Sequence, residues 1–340
     1  MGITVIGSLN YDLVTYTDLV PSSGETIRAN KFETHPGGKG SNQCNSIAKL
    51  KSKNLDYKVK MIGSVGNDSF GTQLVDLLKQ NNVDVTDLAV LDNYQTGIAT
   101  ILVEEATGQN RILIAEGANG QSVYTPTQLE KLFPQSLQSL QNDEQDEYIV
   151  FQHEIPDPCS IMKWLKENRS TYQIIYNPSP FKKLSREQWL LSDILVVNEI
   201  EAMQIVESVY PKEEHTAYKL AIEKNFIEAY KTLCTDFQKK LVNQQNSATV
   251  IITLGSRGVL FCSKNEPTVG YLPAVSGIKV VDTTGAGDTF LGGIVSQLYE
   301  KKSLADAALF ATTASSLAIQ KRGAAESIPT HLQVLTTIKQ

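Results

Sequence analysis

The sequence predicts an α/β protein whose central sheet is mainly parallel, and three observations carry that expectation. Short β-branched apolar runs recur at residues 3–8, 59–65, 148–151, 174–176, 194–197 and 250–254. Each is nearly continuous in apolar character, as strands covered on both faces are. Stretches with helical spacing, such as 69–80 and 158–168, lie between them. Strand and helix in alternation give βαβ units with helices on both sides of the sheet.

The third observation is where that rhythm breaks. Residues 14–32 and 96–116 alternate apolar and polar with no helix between, the second region carrying Thr107-Gly108 near its turn. Strands of this kind do not belong to a parallel core, so they are assigned to a small lid sheet over one edge. Their apolar face would stay exposed in a single copy, and pairing of two lids in a homodimer would bury it. Residues 212–246 read as one extended polar helical elaboration, closed by the soft stretch Asn243-Gln244-Gln245-Asn246-Ser247. Residues 137–147 read as a polar surface connection. The whole of 1–340 is expected to form one α/β domain.

Composition excludes several function classes. The chain has 340 residues, 41% hydrophobic and 20% charged, with a formal net charge of -6 and a pI near 5.4. An acidic balance argues against a nucleic-acid partner, whose phosphates need a basic surface. No apolar run approaches the roughly 18 residues of a membrane span. The opening MGITVIGSLN has no basic start and reads as a strand, which points to a cytoplasmic protein and leaves nuclear presence open. Cys44, Cys159, Cys234 and Cys262 lack metal-ligand spacing and read as reduced, packed thiols.

The strongest chemical signal is Asp282-Thr283-Thr284-Gly285-Ala286-Gly287-Asp288, followed by a helical pattern. A glycine-rich turn opening a helix gathers free N–H groups and the positive end of the helix dipole, which together stabilise an anion. Asp288 in the first turn could accept a proton from a hydroxyl while those amides hold developing phosphoryl charge; an ordinary N-cap is the alternative. Gly37-Gly38-Lys39-Gly40-Ser41-Asn42 is neither a P-loop nor a dinucleotide fingerprint. Its glycines would let backbone approach a small polar ligand closely, with Lys39 and Asn42 as donors; a flexible turn before a helix is the plainer reading.

Three further pairs sit at strand ends, where open α/β sheets bind ligands. Asn10 and Asp12 would point the same way from an extended segment and suit vicinal hydroxyls, or form an Asx turn. Asn198 and Glu201, three apart across a helix start, suit a Mg²⁺ that keeps its waters, or simply belong to a solvated helix N-terminus. Thr253-Leu254-Gly255-Ser256-Arg257-Gly258 is a tight strand-turn-strand that could lie beside a nucleotide. His153-Glu154 closes another strand, with His153 read as structural.

Taken in order, these segments resemble the ribokinase branch of the carbohydrate kinase family, over nearly the whole chain, and are especially similar to fungal ribokinases. The resemblance implies a three-layer ribokinase-like sandwich and ATP-dependent phosphorylation of D-ribose at O5. It further implies Asn10, Asp12, Gly38, Lys39, Gly40, Ser41, Asn42 and Glu154 at the sugar, Asp288 as base, and Gly285, Ala286 and Gly287 as the anion hole. Asn198 and Glu201 would organise Mg²⁺ and ATP, with Thr253 to Gly258 and Gly287-Asp288 along the nucleotide. A K⁺ site is implied at Asp282, Thr284, Ala318, Lys321, Gly323 and Ser327, several through backbone carbonyls. A kinase for deoxyribose or another furanose, and a catalytically silent sugar-binding regulator, are the rival readings.

Overall fold

The computed structural model describes residues 2–107, 109–134 and 147–339. A nine-stranded sheet forms the centre. In chain order its strands are β1 (Gly2–Ile6), β4 (Lys58–Gly66), β5 (Leu88–Leu91), β8 (Tyr148–Phe151), β9 (Gln173–Tyr176), β10 (Ile194–Asn198), β11 (Thr249–Thr253), β12 (Val259–Cys262) and β13 (Gly270–Leu272). Their spatial order is β13-β12-β11-β10-β9-β8-β1-β4-β5. Every neighbouring pair from β11 to β5 is parallel, and β12 and β13 close one edge antiparallel.

The strands are apolar throughout because both faces are covered. Ile149, Phe151, Leu195, Val197, Val250 and Ile252 face one core; Ile3, Val5, Tyr148, Val150, Ile194, Val196 and Ile251 face the other. The first core is closed by α3 (Pro126–Leu132), α4 (Pro158–Asn168), α5 (Arg186–Trp189), α6 (Glu199–Val209) and α8 (Phe226–Lys240). The second is closed by α1 (Lys39–Leu50), α2 (Ser69–Gln80), α9 (Ala286–Tyr299) and α10 (Leu304–Ala318). The expected three layers are present. Short helices α11 (Ala324–Ser327) and α12 (His331–Ile338) finish the described chain.

A separate four-stranded sheet holds β2 (Asn10–Thr17), β3 (Lys31–Gly37), β6 (Gly97–Glu104) and β7 (Gln109–Ala115), in the order β3-β2-β6-β7. The lid exists, but its first part is displaced from 14–32. Residues 18–30 are irregular, since Pro21 and Gly24 interrupt the pattern, and the strands lie on either side. β6 and β7 pair antiparallel around the expected turn, of which Gly108 lies outside the described residues. Along β7 every residue is exposed, Ile112, Leu113 and Ile114 included, so both of its faces are open rather than one.

Two other expectations change. Residues 212–246 are not one helix: α7 (Lys212–Lys224) ends at Asn225, whose side chain accepts from the Glu228 N–H and starts α8. An Asx side chain satisfying an orphan helix amide outcompetes continuation of the first helix. The first strand stops at Ile6, which frees Gly7 and Ser8 for the site. Of the segment 137–147, all but Glu147 lies outside the described residues, and Glu147 accepts from the Gly2 N–H at 3.0 Å.

Candidate active site

The carboxyl ends of β1, β8, β9, β10 and β11 converge on the N-termini of α1, α6 and α9. Between them lies a cavity of about 250 Å³. Lys39, Asn198, Glu201, Thr253, Gly285, Ala286, Gly287 and Asp288 all line it, so the predicted anion residues and part of the predicted nucleotide set are brought together, while Leu254, Gly255, Ser256, Arg257 and Gly258 do not line it. Asn177 also lines it and was not anticipated.

The sugar-side residues meet at one edge of this cavity through two tight approaches. Gly38 has φ 86°, and a Cβ there would stand 2.5 Å from the Asn10 N; one at Gly40 would stand 2.5 Å from the Ser8 N. The glycines therefore serve a close approach to the chain's own first loop, not only to a ligand. Glu154 fixes that approach: its Oε2 accepts from the Lys39 N–H at 2.9 Å and from the Ser8 hydroxyl. Ser41 is fully buried, and its N–H donates to the Ser8 carbonyl. Asn119, missed in the sequence, holds the Leu9 backbone from both sides and donates to Asn10 Oδ1 at 2.8 Å. That contact leaves the Asn10 amide nitrogen for other partners.

Asp288 is the third residue of α9 and almost fully buried. Its Oδ2 accepts from Asn42 Nδ2 at 3.3 Å and its Oδ1 from Gln43 Nε2 at 2.9 Å. Asn42 Oδ1 is buried with no hydrogen-bond partner among the described residues, an acceptor suited to a ligand hydroxyl. Burial, then Glu154, push Asp12 up to about 7; His35 pulls the other way, and Asp288 and Glu326 add smaller upward pushes. Burial lowers the Lys39 ammonium, but Asp288, Glu154, Glu201 and Asp12 outweigh it and hold it above its ordinary value. A cation is thus set among four carboxylates.

Gly285 takes φ 73° as the N-cap of α9. The Ala286 N–H donates to the Thr283 carbonyl at 3.2 Å, whereas the Gly287 and Asp288 N–H groups have no partner among the described residues. A Cβ built at Gly287 meets nothing within 4 Å. The Gly285 N–H likewise has no partner among the described residues, so of the triplet Gly285–Ala286–Gly287 the two glycines keep open amides while Ala286 closes the turn, and Asp288 adds a third.

Asn198 and Glu201 form a capping box: Asn198 Oδ1 accepts from the Ile200 and Glu201 N–H groups, and Glu201 Oε2 from the Asn198 N–H. The box faces the cavity, and Glu201 is buried there, so this helix N-terminus is not a merely solvated one. Gly255–Arg257 is a single 3₁₀ turn between β11 and β12. Leu254 is core, and the Arg257 guanidinium lies 3.9 Å over the Phe226 ring.

Asp282 already has protein partners. Its Oδ1 accepts from the Thr284 N–H and hydroxyl, and its Oδ2 from the Gly323 N–H at 3.0 Å. The Ala318 carbonyl accepts from Lys321 N–H, and the Ser327 hydroxyl donates to the Ala324 carbonyl. The two segments are tied together directly, and Ser327 stands outside that tie.

A family model described as pfkB family carbohydrate kinase matches residues 2–331. Ribokinase of Schizosaccharomyces pombe is 36% identical over 98% of this chain and 96% of its own, in keeping with the fungal likeness. Ribokinase of Lactococcus lactis is 35% identical over 99% and 97%. A solved Arabidopsis thaliana ribokinase complexed with ribose and ATP is 27% identical, covers 100% of this chain and 99% of its own, and superposes with a TM-score of 0.77.

Proposed function

Because the chain belongs to the pfkB family of carbohydrate kinases, we propose that it transfers the γ-phosphoryl group of ATP to O5 of D-ribose, giving D-ribose 5-phosphate and ADP. The observation that carries this reading is Asp288: a buried carboxylate, held by two amides, on the first turn of a helix with open N–H groups. Ribose and ATP are what the Arabidopsis relative was solved with.

Asn10, Asp12 and Asn42 bind sugar hydroxyls, and Glu154 holds the Gly38–Lys39–Gly40 approach in place. Asp288 takes the proton from O5 as that oxygen attacks in line. The Gly287 and Asp288 amides, with the positive end of α9, hold the charge that develops on the transferred group. Lys39 adds a full positive charge at the same point. No phosphoenzyme is formed.

Of the pair Asn198 and Glu201 it is Glu201 that fits a Mg²⁺ keeping its waters, since the capping box spends only its Oε2, whereas the one side-chain oxygen of Asn198 already accepts two N–H bonds and would serve by holding the helix start. When bound, the ion neutralises phosphate charge. The oxygen-only set of Asp282, Thr284, Ala318, Lys321, Gly323 and Ser327 fits K⁺, which would brace the loop that opens α9. A pure sugar-binding regulator has no use for the base.

The test is Asp288→Asn. Turnover falls by roughly 10² or more, the usual worth of a general base, while calorimetry still detects ribose binding. Full turnover in the folded variant removes Asp288 from the mechanism. Initial rates on 2-deoxyribose, lower than on ribose because a deleted hydroxyl leaves its partners unpaired, separate this enzyme from one for other furanoses.

A further inference from the structure

The base does not stand alone: it ends a chain of buried amides whose polarity is fixed from both ends. Asn177 Nδ2 donates to the Val196 backbone carbonyl at 2.9 Å. A carbonyl can only accept, so Asn177 must turn its Oδ1 the other way. There it accepts from Gln43 Nε2 at 3.1 Å. The second N–H of that same nitrogen reaches Asp288 Oδ1 at 2.9 Å. Gln43 Oε1 is then left facing Gln152, whose Nε2 donates to it at 2.7 Å. An ionised carboxylate also only accepts, so Asp288 demands the same orientation of Gln43 that Val196 dictates.

Burial makes this arrangement rigid. Gln43 is fully buried and Gln152 is 1% exposed. Gln152 lies so close over Gly7 that a Cβ there would stand 2.0 Å from Gln152 Oε1. Reversing the Gln43 amide would aim an oxygen at both Asp288 and Asn177, two repulsions in a dry site; Gln152, whose Oε1 has no partner among the described residues, follows the polarity that those two fix. The helix α1 supplies Gln43, the end of β8 supplies Gln152, and the end of β9 supplies Asn177, so three elements converge on the Gln43 amide, which alone of the three touches the carboxylate oxygen.

We propose that Gln43 is a positioning residue for the reaction, holding Asp288 Oδ1 in place, and that Asn177 sets the polarity of its amide while Gln152 helps to hold it. This rests on Asp288 being the base. Charged groups facing Asp288 from other elements are Lys39 of α1, Asp12 of β2 and, beyond them, Glu154 after β8. None of them touches the Gln43 amide, so the methionine changes at Gln43 and Gln152 alter the base without altering the charge around it.

The experiment compares Gln43→Met, Gln152→Met and Gln43→Glu with Asp288→Asn, each checked for folding by circular dichroism. The methionines keep volume and remove the donors. Gln43→Met lowers kcat by about 10- to 100-fold, the usual cost of a misplaced catalytic group, with a smaller change in the KM for ribose. Gln152→Met lowers it less. In Gln43→Met the acid limb of the kcat–pH profile moves to higher pH, because a carboxylate that loses a donor is harder to ionise; in Gln152→Met it moves less, since the donor to Asp288 remains and only its hold is loosened. Gln43→Glu moves that limb furthest by setting a second carboxylate against the first. If Asp288→Asn is inactive while both methionine variants keep wild-type kcat and an unmoved acid limb, the relay is overturned and the base stands. If Asp288→Asn keeps full turnover, the base reading itself has failed.

Discussion

Asp12, proposed above to bind the sugar, is kept at a cost to the stability of the fold. In the unfolded chain its carboxyl ionises near 3.8, and in the fold near 7. Between those values the native state binds the extra proton, so stability falls as pH rises from about 4 through about 7 and then levels. Asp12→Asn removes that slope. Urea unfolding at pH 8 should find the variant more stable by on the order of 2 kcal/mol, with no gain at pH 4, while its KM for ribose rises. In the intact protein, ribose affinity should increase through pH 7 as Asp12 ionises. Burial lowers the His153 imidazole to about 4, which adds a slope of the opposite sign over much of this window, so the reading is contradicted if the stability difference between Asp12→Asn and wild type fails to grow from pH 4 to pH 8. At this scale the sequence was legible where a residue type announces a chemistry, as Asp12, Lys39 and Asp288 do. Gln43, Gln152, Asn177 and Asn119 were not, because an amide's role depends on partners from other elements.

Helices were legible where their caps are local. The boundaries of α2 and α4 agree with the sequence reading because Asp68 and Asp157 cap them, the latter followed by Pro158. The break at Asn225 had a signal too, Asn225 followed three residues later by Glu228, hidden inside a polar helical run. The two helices it separates differ in weight. α7 has no buried residue, whereas α8 buries Leu233, Cys234 and Phe237 against the sheet. Phe237→Ala should cost about 3–5 kcal/mol in chemical denaturation; Leu220→Ala, at a position 60% exposed, should stay within about 0.5 kcal/mol. The loop before α9 carries the cation expectation. Replacing K⁺ by Na⁺ or choline at fixed ionic strength should slow turnover, and Asp282→Ala should abolish the difference. Equal rates in the three salts after dialysis would remove the cation from the loop.

At the scale of the molecule, alternation of strand and helix was enough to give the layers, while the assembly of the site was not. Residues 10, 42, 154, 198 and 288 meet only because parallel connections bring successive strand ends to one edge. The exposed run Ile112-Leu113-Ile114 on the outer strand of the lid is the apolar surface that a second copy would cover. Light scattering at micromolar concentration should give twice the 37.4 kDa chain mass, and Leu113→Glu should return the monomer. The lid has one further property. The chain leaves the central sheet at Ile6 and enters the lid at Asn10, with three residues between. Asn10 and Asp12, the side chains proposed to bind sugar, therefore stand at the root of a lever and not on its fixed base. β2 runs on to Thr17, about 23 Å at roughly 3.3 Å per residue, so a slight rotation at its foot becomes a wide sweep at its tip. A fluorophore placed at exposed Leu19, just past that tip, should register ribose with no nucleotide present.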